Sequence, residues 1–270
     1  SPFVEKLDSI ISINPNANLI LKEDPQYVGL VYNRPEDSFD RSIQPKAAPA
    51  KAAVVPDYYK ETFANGLKII GSQSSEIPKI YMRLRIEGGE LLVDKKLAGL
   101  SQITASMMSE STSKYTSEEI SVELKKIGSS ISFSADEDGT TVYIESLTKN
   151  IDATLAIVEE KLFRPAFNKD DFKRLKKQTL ESMEAMKKNP QYLGFVNFQN
   201  QLFGDTPYGR LTTEKSIKKI KLSDVQSYYN NYSPSVSSLV VVGDIDRNTL
   251  LSKLDFLKNW NSKKVDISSE

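Results

Sequence analysis

Between Ile77 and Gly89 the chain reads IPKIYMRLRIEGG. Ile80, Met82, Leu84 and Ile86 take every second place, with Tyr81, Arg83 and Arg85 between them. A strict period of two over this length specifies a strand that buries one face and leaves the other wet. Such strands belong to antiparallel or mixed sheets covered on one side only. The neighbouring segments agree. Tyr59–Phe63 and Leu67–Gln73 flank an Asn65-Gly66 turn, and Ile131–Ala135 and Thr141–Leu147 flank Asp136-Glu137-Asp138-Gly139. Ser238–Val242 (SLVVV) reads as a buried strand.

Helical spacing appears in AGLSQITASMMS, residues 98–109, where Leu100, Ile103 and Met107 form an apolar comb. Further helices are expected over Glu118–Ile127, N-capped by Ser117 and stopped by Gly128, and over Asn150–Leu162. Lys169–Lys188 reads as a long helix with Phe172, Leu175, Met183 and Met186 on its apolar side. Gln191–Phe203, Ser223–Tyr232 and Arg247–Trp260 complete the set. Strands and helices do not alternate as βαβ units. The pattern predicts an α+β fold, an antiparallel or mixed sheet with helices packed on one face.

This domain is expected to occupy residues 57–270. Before it, residues 1–44 read as an irregular segment with two short strands, Asn18–Leu21 and Tyr27–Tyr32. PKAAPAKAAVVP, residues 45–56, has the composition of a linker. The chain lacks an initiator Met and a signal-peptide pattern, so it is expected to be an excised fragment. No apolar run approaches the roughly 20 residues that span a bilayer.

Composition narrows the chemistry. The chain has no Cys and no His among 270 residues. Alone it can form no disulfide, no Ser-His-Asp triad and no imidazole- or thiolate-ligated zinc site. Thirty-six basic residues balance thirty-six acidic ones, which gives no footprint for nucleic acid or an anionic membrane. The runs at Lys173-Arg174, Lys176-Lys177 and Lys218-Lys219 therefore read as solvated helix faces, and Tyr228, Tyr229 and Tyr232 as a half-buried helix. Asp136-Glu137-Asp138-Gly139 lacks the alternating ligands of a calcium loop and reads as a hairpin turn.

Several segments, in order between Asn65 and Asp244, resemble the M16 zinc metallopeptidases, the family of pitrilysin, insulin-degrading enzyme and mitochondrial processing peptidase. They are Asn65-Gly66-Leu67, Gly88-Gly89-Glu90, Ala98-Gly99-Leu100, Met107-Met108, Ser111-Thr112, Phe203-Gly204-Asp205-Thr206-Pro207-Tyr208-Gly209-Arg210 and Val240-Val241-Val242-Gly243-Asp244. In active members the helix after the glycine pair carries H-x-x-E-H. Its two His ligate zinc, its Glu activates the bound water, and a third ligand, a Glu, comes from a later helix. Carried onto this sequence, the first His falls on Gln102, the Glu on Ala105 and the second His on Ser106. The distal Glu falls on Ser182, with Glu181 beside it. None of the four can do the family's chemistry.

The resemblance implies a degenerate domain without catalytic or metal-binding residues of its own. It implies the first domain of the inactive C-terminal half of a bacterial two-half member, with the second domain of that half absent; Phe39-Asp40-Arg41-Ser42 resembles the junction between halves. The implied partners are a zinc-bearing catalytic half, on the same polypeptide or a separate subunit, and short or unfolded peptides held in a chamber between the halves. Nucleic acid and membrane are not implied. The parent would be a zinc metallopeptidase, with a periplasmic home suggested by the bacterial members. Ser132, Phe133 and Ala135 lie where the family has the strand that pairs with substrate and are candidate chamber-lining residues; Phe133 has a plain core role as its alternative. A second functional reading is a structural assembly subunit of the respiratory core-protein kind, with no part in proteolysis.

Overall fold

The computed structural model describes residues 54–267 and isolated positions before them, at 29, 38, 40, 42–44, 46 and 48. The strands expected at Asn18–Leu21 and Tyr27–Tyr32, and most of the 1–44 segment and of the linker, lie outside the described residues. Val54–Glu270 forms one compact unit, and only this unit is considered below.

Six strands make one sheet: β1 (Tyr59–Thr62), β2 (Lys68–Gln73), β3 (Lys79–Glu87), β4 (Ser130–Ala135), β5 (Gly139–Leu147) and β6 (Ser237–Gly243). Their spatial order is β1-β2-β6-β3-β5-β4. Every pairing is antiparallel except β2 with β6, so the sheet is mixed. β3 is central, its alternation becoming the core. Ile80, Met82, Leu84 and Ile86 are each at most 3% exposed and pack with Leu67, Ile69, Val142, Ile144, Leu239 and Val241. The opposite face is open and carries Tyr81, Tyr143, Val240 and Val242.

Eight α-helices accompany the sheet: α1 (Leu100–Met108), α2 (Ser117–Lys126), α3 (Ile151–Phe163), α4 (Lys169–Met186), α5 (Pro190–Phe203), α6 (Glu214–Lys219), α7 (Leu222–Tyr229) and α8 (Arg247–Lys253). They supply the buried layer on one face of the sheet. Four details differ from the sequence reading. The N-cap of α2 is Thr116, one residue early. Its hydroxyl accepts from the Glu119 N–H while the Glu119 carboxylate accepts from the Thr116 N–H, a capping box that Ser117 could not build from inside the helix. The helix expected over Arg247–Trp260 stops at Lys253 and continues as a 3₁₀ turn over Asp255–Asn259, which lets Leu254, Leu257 and Trp260 all reach the core. α7 covers Leu222–Tyr229 rather than Ser223–Tyr232. Met186 lies at the exposed end of α4, and Phe172 is the only buried residue of that helix.

The glycine pair before α1 is dictated by close backbone approach. Gly88 and Gly89 both have positive φ, 127° and 44°. A Cβ on Gly89 would stand 2.3 Å from the Gly139 nitrogen and 2.4 Å from the Asp136 carbonyl oxygen. The Gly88, Glu90 and Leu91 N–H groups donate to carbonyls of Asp138, Asp136 and Glu137, so this segment is laced to the β4–β5 hairpin. Gly89→Ala is therefore expected to destabilise the fold by about 2 kcal/mol or more, through positive φ and a backbone clash together. Urea denaturation measures it, and a change under 0.5 kcal/mol would contradict the account.

Candidate functional site

The site implied by the family lies on α1 and α4. α1 is only nine residues long, yet seven of them are buried: Leu100, Ser101, Ile103, Thr104, Ala105, Met107 and Met108. It packs against β4, α4 and α7. A helix this short does not persist by propensity; its packing and its end groups hold it.

Both ends are satisfied by ionised side chains of the sign the helix dipole favours. At the N-terminus, Glu90 Oε1 accepts the Gly99 N–H at 2.6 Å, and Oε2 accepts the Ser101 hydroxyl. Gly99 itself sits at φ 95°, where a β-carbon would be strained. At the C-terminus, the Lys161 ammonium, 1% exposed, reaches up from α3. It donates to the carbonyls of Ser109 at 2.7 Å, Glu110 at 3.0 Å and Met108 at 3.5 Å. Burial pushes the Lys161 pKa down to about 8, against the pull of the Glu110 charge. Glu110 in turn pairs with Arg174 at 2.7 Å, and Arg174 with Asp171 at 3.1 Å, tying the end of α1 to α4.

Within this frame the four family positions are placed as follows. Gln102 is exposed and Ser106 half-buried, one turn apart on α1. The Ser106 hydroxyl donates to the Gln102 carbonyl at 2.9 Å, so its hydrogen is spent on its own helix. Ala105 is 1% exposed and belongs to the core. Ser182 is exposed on α4, the helix packed against α1. Glu181 is exposed too, and Lys177 lies beside it at 3.8 Å. Among the described residues no group of three or more acidic, His or Cys side chains is arranged to hold a metal ion, and no helix is long and apolar enough to cross a membrane.

β4 is an edge strand, its outer side paired with no other strand among the described residues. Ser132 on it is exposed and Ala135 half-buried. Phe133, at 8% exposed, points into the core; of the two roles open to it in the sequence, the side chain takes the packing one. The β4–β5 turn is held by charge. Arg85 donates two hydrogen bonds of 2.7 Å to Asp136, whose carboxyl is thereby held below its ordinary pKa. The loop after α5 closes against this turn, with the Tyr208 hydroxyl donating to Asp138 at 2.6 Å and Arg210 to the Val93 carbonyl at 2.8 Å.

The family model for insulinase, peptidase family M16, matches residues 68–215. The chain belongs to the M16 family. A non-peptidase homolog, YmxG of Helicobacter pylori, is 25% identical over 196 residues, 71% of this chain and 45% of that protein. The chain spans about half the length of the curated relatives it matches. Among solved structures, the peptidase M16 inactive domain from Pseudomonas fluorescens superposes with a TM-score of 0.71 at 22% identity, over 77% of this chain and 53% of that one. The periplasmic protease PqqL of Escherichia coli gives 0.70 at 17% identity, over 81% of this chain and 26% of that one. Both establish the fold as that of an M16 domain.

Sequence reasoning missed Lys161 and Glu90. A signal for Lys161 existed: it shares the apolar stripe of α3 with Leu155, Val158 and Leu162, where a surface lysine has no place.

Two outcomes follow. Lys161→Met leaves the last carbonyls of α1 buried without a donor and should cost roughly 2–4 kcal/mol. Because burial lowers its pKa, the Lys161 side chain holds fewer protons in the folded than in the unfolded chain between about pH 8 and 10, so its own contribution to stability should rise with pH over that range. That rise should vanish in Lys161→Met, as read by urea melts across the range. Separately, Gln102→His with Ser106→His and Ser182→Glu should create a zinc site of one ion per chain, measured by isothermal titration after dialysis. Failure of the folded triple variant to bind zinc would mean that the three positions do not converge.

Proposed function

We propose that this domain is a non-catalytic M16 module that pairs with a catalytic, zinc-bearing M16 half and closes a chamber around short or unfolded peptides. The observation that carries the reading is the state of α1. Its burial and both charged end contacts are in place, while the positions that would hold and use a metal are Gln102 and Ser106, with Ala105 turned into the core. A scaffold kept without its reactive groups acts by shape and by the surfaces it presents. An enclosing wall excludes folded proteins and keeps water from competing for the peptide backbone.

The edge of β4 supports a peptide-holding role. It lies beside α1 and offers unpaired backbone groups to an extended chain, the geometry of β-augmentation. On this reading the backbone of Ser132–Ala135 and the exposed Ser132 side chain line the chamber, while Phe133 stiffens the strand from behind. Zinc belongs to the partner half, and the domain layout is an upstream segment, a linker and this M16 domain. A periplasmic home for the parent is in keeping with the character of PqqL as a periplasmic protease.

The test is reconstitution. The chain is mixed with an M16 half from the same source that retains H-x-x-E-H, and the products are read by size-exclusion with light scattering, zinc analysis and peptide cleavage. A 1:1 complex holding one zinc, with chelator-sensitive cleavage that needs both components, is the expected result. Chelator-sensitive cleavage by this chain alone, or a catalytic half that neither binds the chain nor gains activity from it, would end the proposal.

A further inference from the structure

The least satisfied apolar surface of the molecule is α5. None of its fourteen residues is buried. Phe195, Phe198 and Leu202 are 59%, 63% and 60% exposed and share one side of the helix at i, i+3 and i+7. The adjacent side of the helix, carrying Tyr192, Leu193 and Val196, looks into a cleft of about 800 Å³ whose other walls are the end of α4 and the 211–219 segment. Met183 and Leu211 continue its apolar lining. This cleft is therefore not a gap in polar surface but an apolar-lined trough open to solvent.

Its rim has one sign. Lys187, Lys215, Lys218 and Lys219 border it, against a single carboxylate, Glu214. Glu214 is already engaged by both Lys187 and Lys218, and its carboxyl is accordingly held down to about 2. Lys187 is shared with Glu184 on α4. Lys215 and Lys219 make no ion pair among the described residues. The chain as a whole is neutral, so this is a local concentration of positive charge over an apolar floor. An ordinary solvated face would interleave both signs.

We propose that the cleft between α4, α5 and α6 binds a peptide segment that carries an apolar anchor flanked by carboxylates. The anchor fills the trough against Leu193, Val196 and Leu211, and the carboxylates meet Lys215 and Lys219. This deepens the reading of the domain as a peptide-holding module and rests on it: it states which peptides the wall prefers. The match is one of charge and polarity together, since neither an apolar anchor without charge nor an acidic segment without an anchor uses the whole surface.

The experiment uses the 270-residue chain and three fluorescein-labelled ten-residue peptides: a Leu-Phe centre flanked by Glu, the same centre flanked by Lys, and a Ser-Ser centre flanked by Glu. Anisotropy is read at low and high salt. The Glu-flanked apolar peptide should bind roughly tenfold tighter than the Ser-Ser control, since burial of one large apolar side chain is worth about that much, and roughly fivefold tighter than the Lys-flanked peptide, whose charges the lysine rim repels. Its advantage over the Lys-flanked peptide should shrink in high salt. Lys215→Glu with Lys219→Glu, both on exposed positions, should weaken it roughly fivefold and leave the thermal melt unchanged. Leu193→Ser should weaken all apolar peptides alike. Equal affinity for the three peptides would overturn the proposal, as would displacement of the acidic peptide by a single-stranded oligonucleotide. Sedimentation showing a dimer that Phe198→Ser dissociates would assign the face to a second copy and also overturn it. Pairing with the catalytic half is scored on the same variants. Peptide selectivity that fails while pairing persists sinks the cleft alone; pairing that fails with selectivity intact sinks the half-pairing reading alone.

Discussion

The ammonium of Lys161 under the last carbonyls of α1 is the contact on which the rest of the site's geometry depends. A helix of nine residues leaves four donors and four acceptors without an intrahelical partner, more groups than the hydrogen bonds it makes inside itself. Water satisfies them only at a surface, and α1 is inside. Glu90 answers the N-terminal donors and Lys161 the C-terminal acceptors, each with the charge the dipole favours. Because Lys161 stands on α3 and Glu90 on the turn laced to the β4–β5 hairpin, the same two contacts fix α1 relative to the sheet and to its neighbouring helix. A bound metal contributes folding free energy outright where it joins two elements. Here the join between α1 and α4 is made without one, by the Glu110–Arg174–Asp171 chain. A frame held this way does not depend on a ligand that bridges the two helices.

The changed positions are not equivalent. Gln102 and Ser182 face solvent, where substitutions without special contacts shift stability by only about 0.5 kcal/mol. Ser106 is half-buried and has turned its hydroxyl back onto the helix, which removes it from the site and satisfies it at once. Ala105 is different. It is 1% exposed within the main core, so its size is set by packing, and a carboxylate there would have to be held by a partner or be desolvated at a cost of several kcal/mol. The site is thus closed to acid–base chemistry at 105 by the core itself, and merely unoccupied by ligands at the other three.

Most of the framework was legible in the sequence because it is written in periods. The alternation of β3, the comb of α1 and the Gly128 stop are local patterns, and each appears where the residues predict it. What escaped depends on partners distant along the chain. Glu90 caps a helix nine residues on, and Lys161 one more than fifty residues back; a charged side chain in an apolar stripe says that it is paired, not with what. The shift of the α2 cap from Ser117 to Thr116 reflects two equally good capping residues side by side, decided by which one has Glu at the third helical position. The break of the last helix at Leu254 follows from three apolar residues, Leu254, Leu257 and Trp260, that a straight α-helix would not bring to the core together. For Phe133 the alternation of β4 assigned a face but not which face the core lies on, and α1 packing against that strand decides it.

The molecule divides its apolar surface unevenly. The inner face of the sheet and α1 and α3 bury most of their apolar side chains, whereas α4 buries one residue and α5 none. A globular domain optimised only for its own stability would not leave Phe195, Phe198 and Leu202 in water on a helix that adjoins a lysine-rimmed trough; contiguous exposed apolar patches of this kind mark surfaces that are covered in use. The cleft beside this helix is walled in part by Met183 and Lys187 at the end of α4, the helix that carries Ser182. The buried core therefore reaches α4 only through Phe172, and α5 keeps its apolar groups at the surface. Under the proposed function, a wall that contributes no catalytic group would still decide what a chamber retains, because selectivity needs only a difference in affinity between segments, and an apolar floor under lysines outside any ion pair among the described residues would supply one.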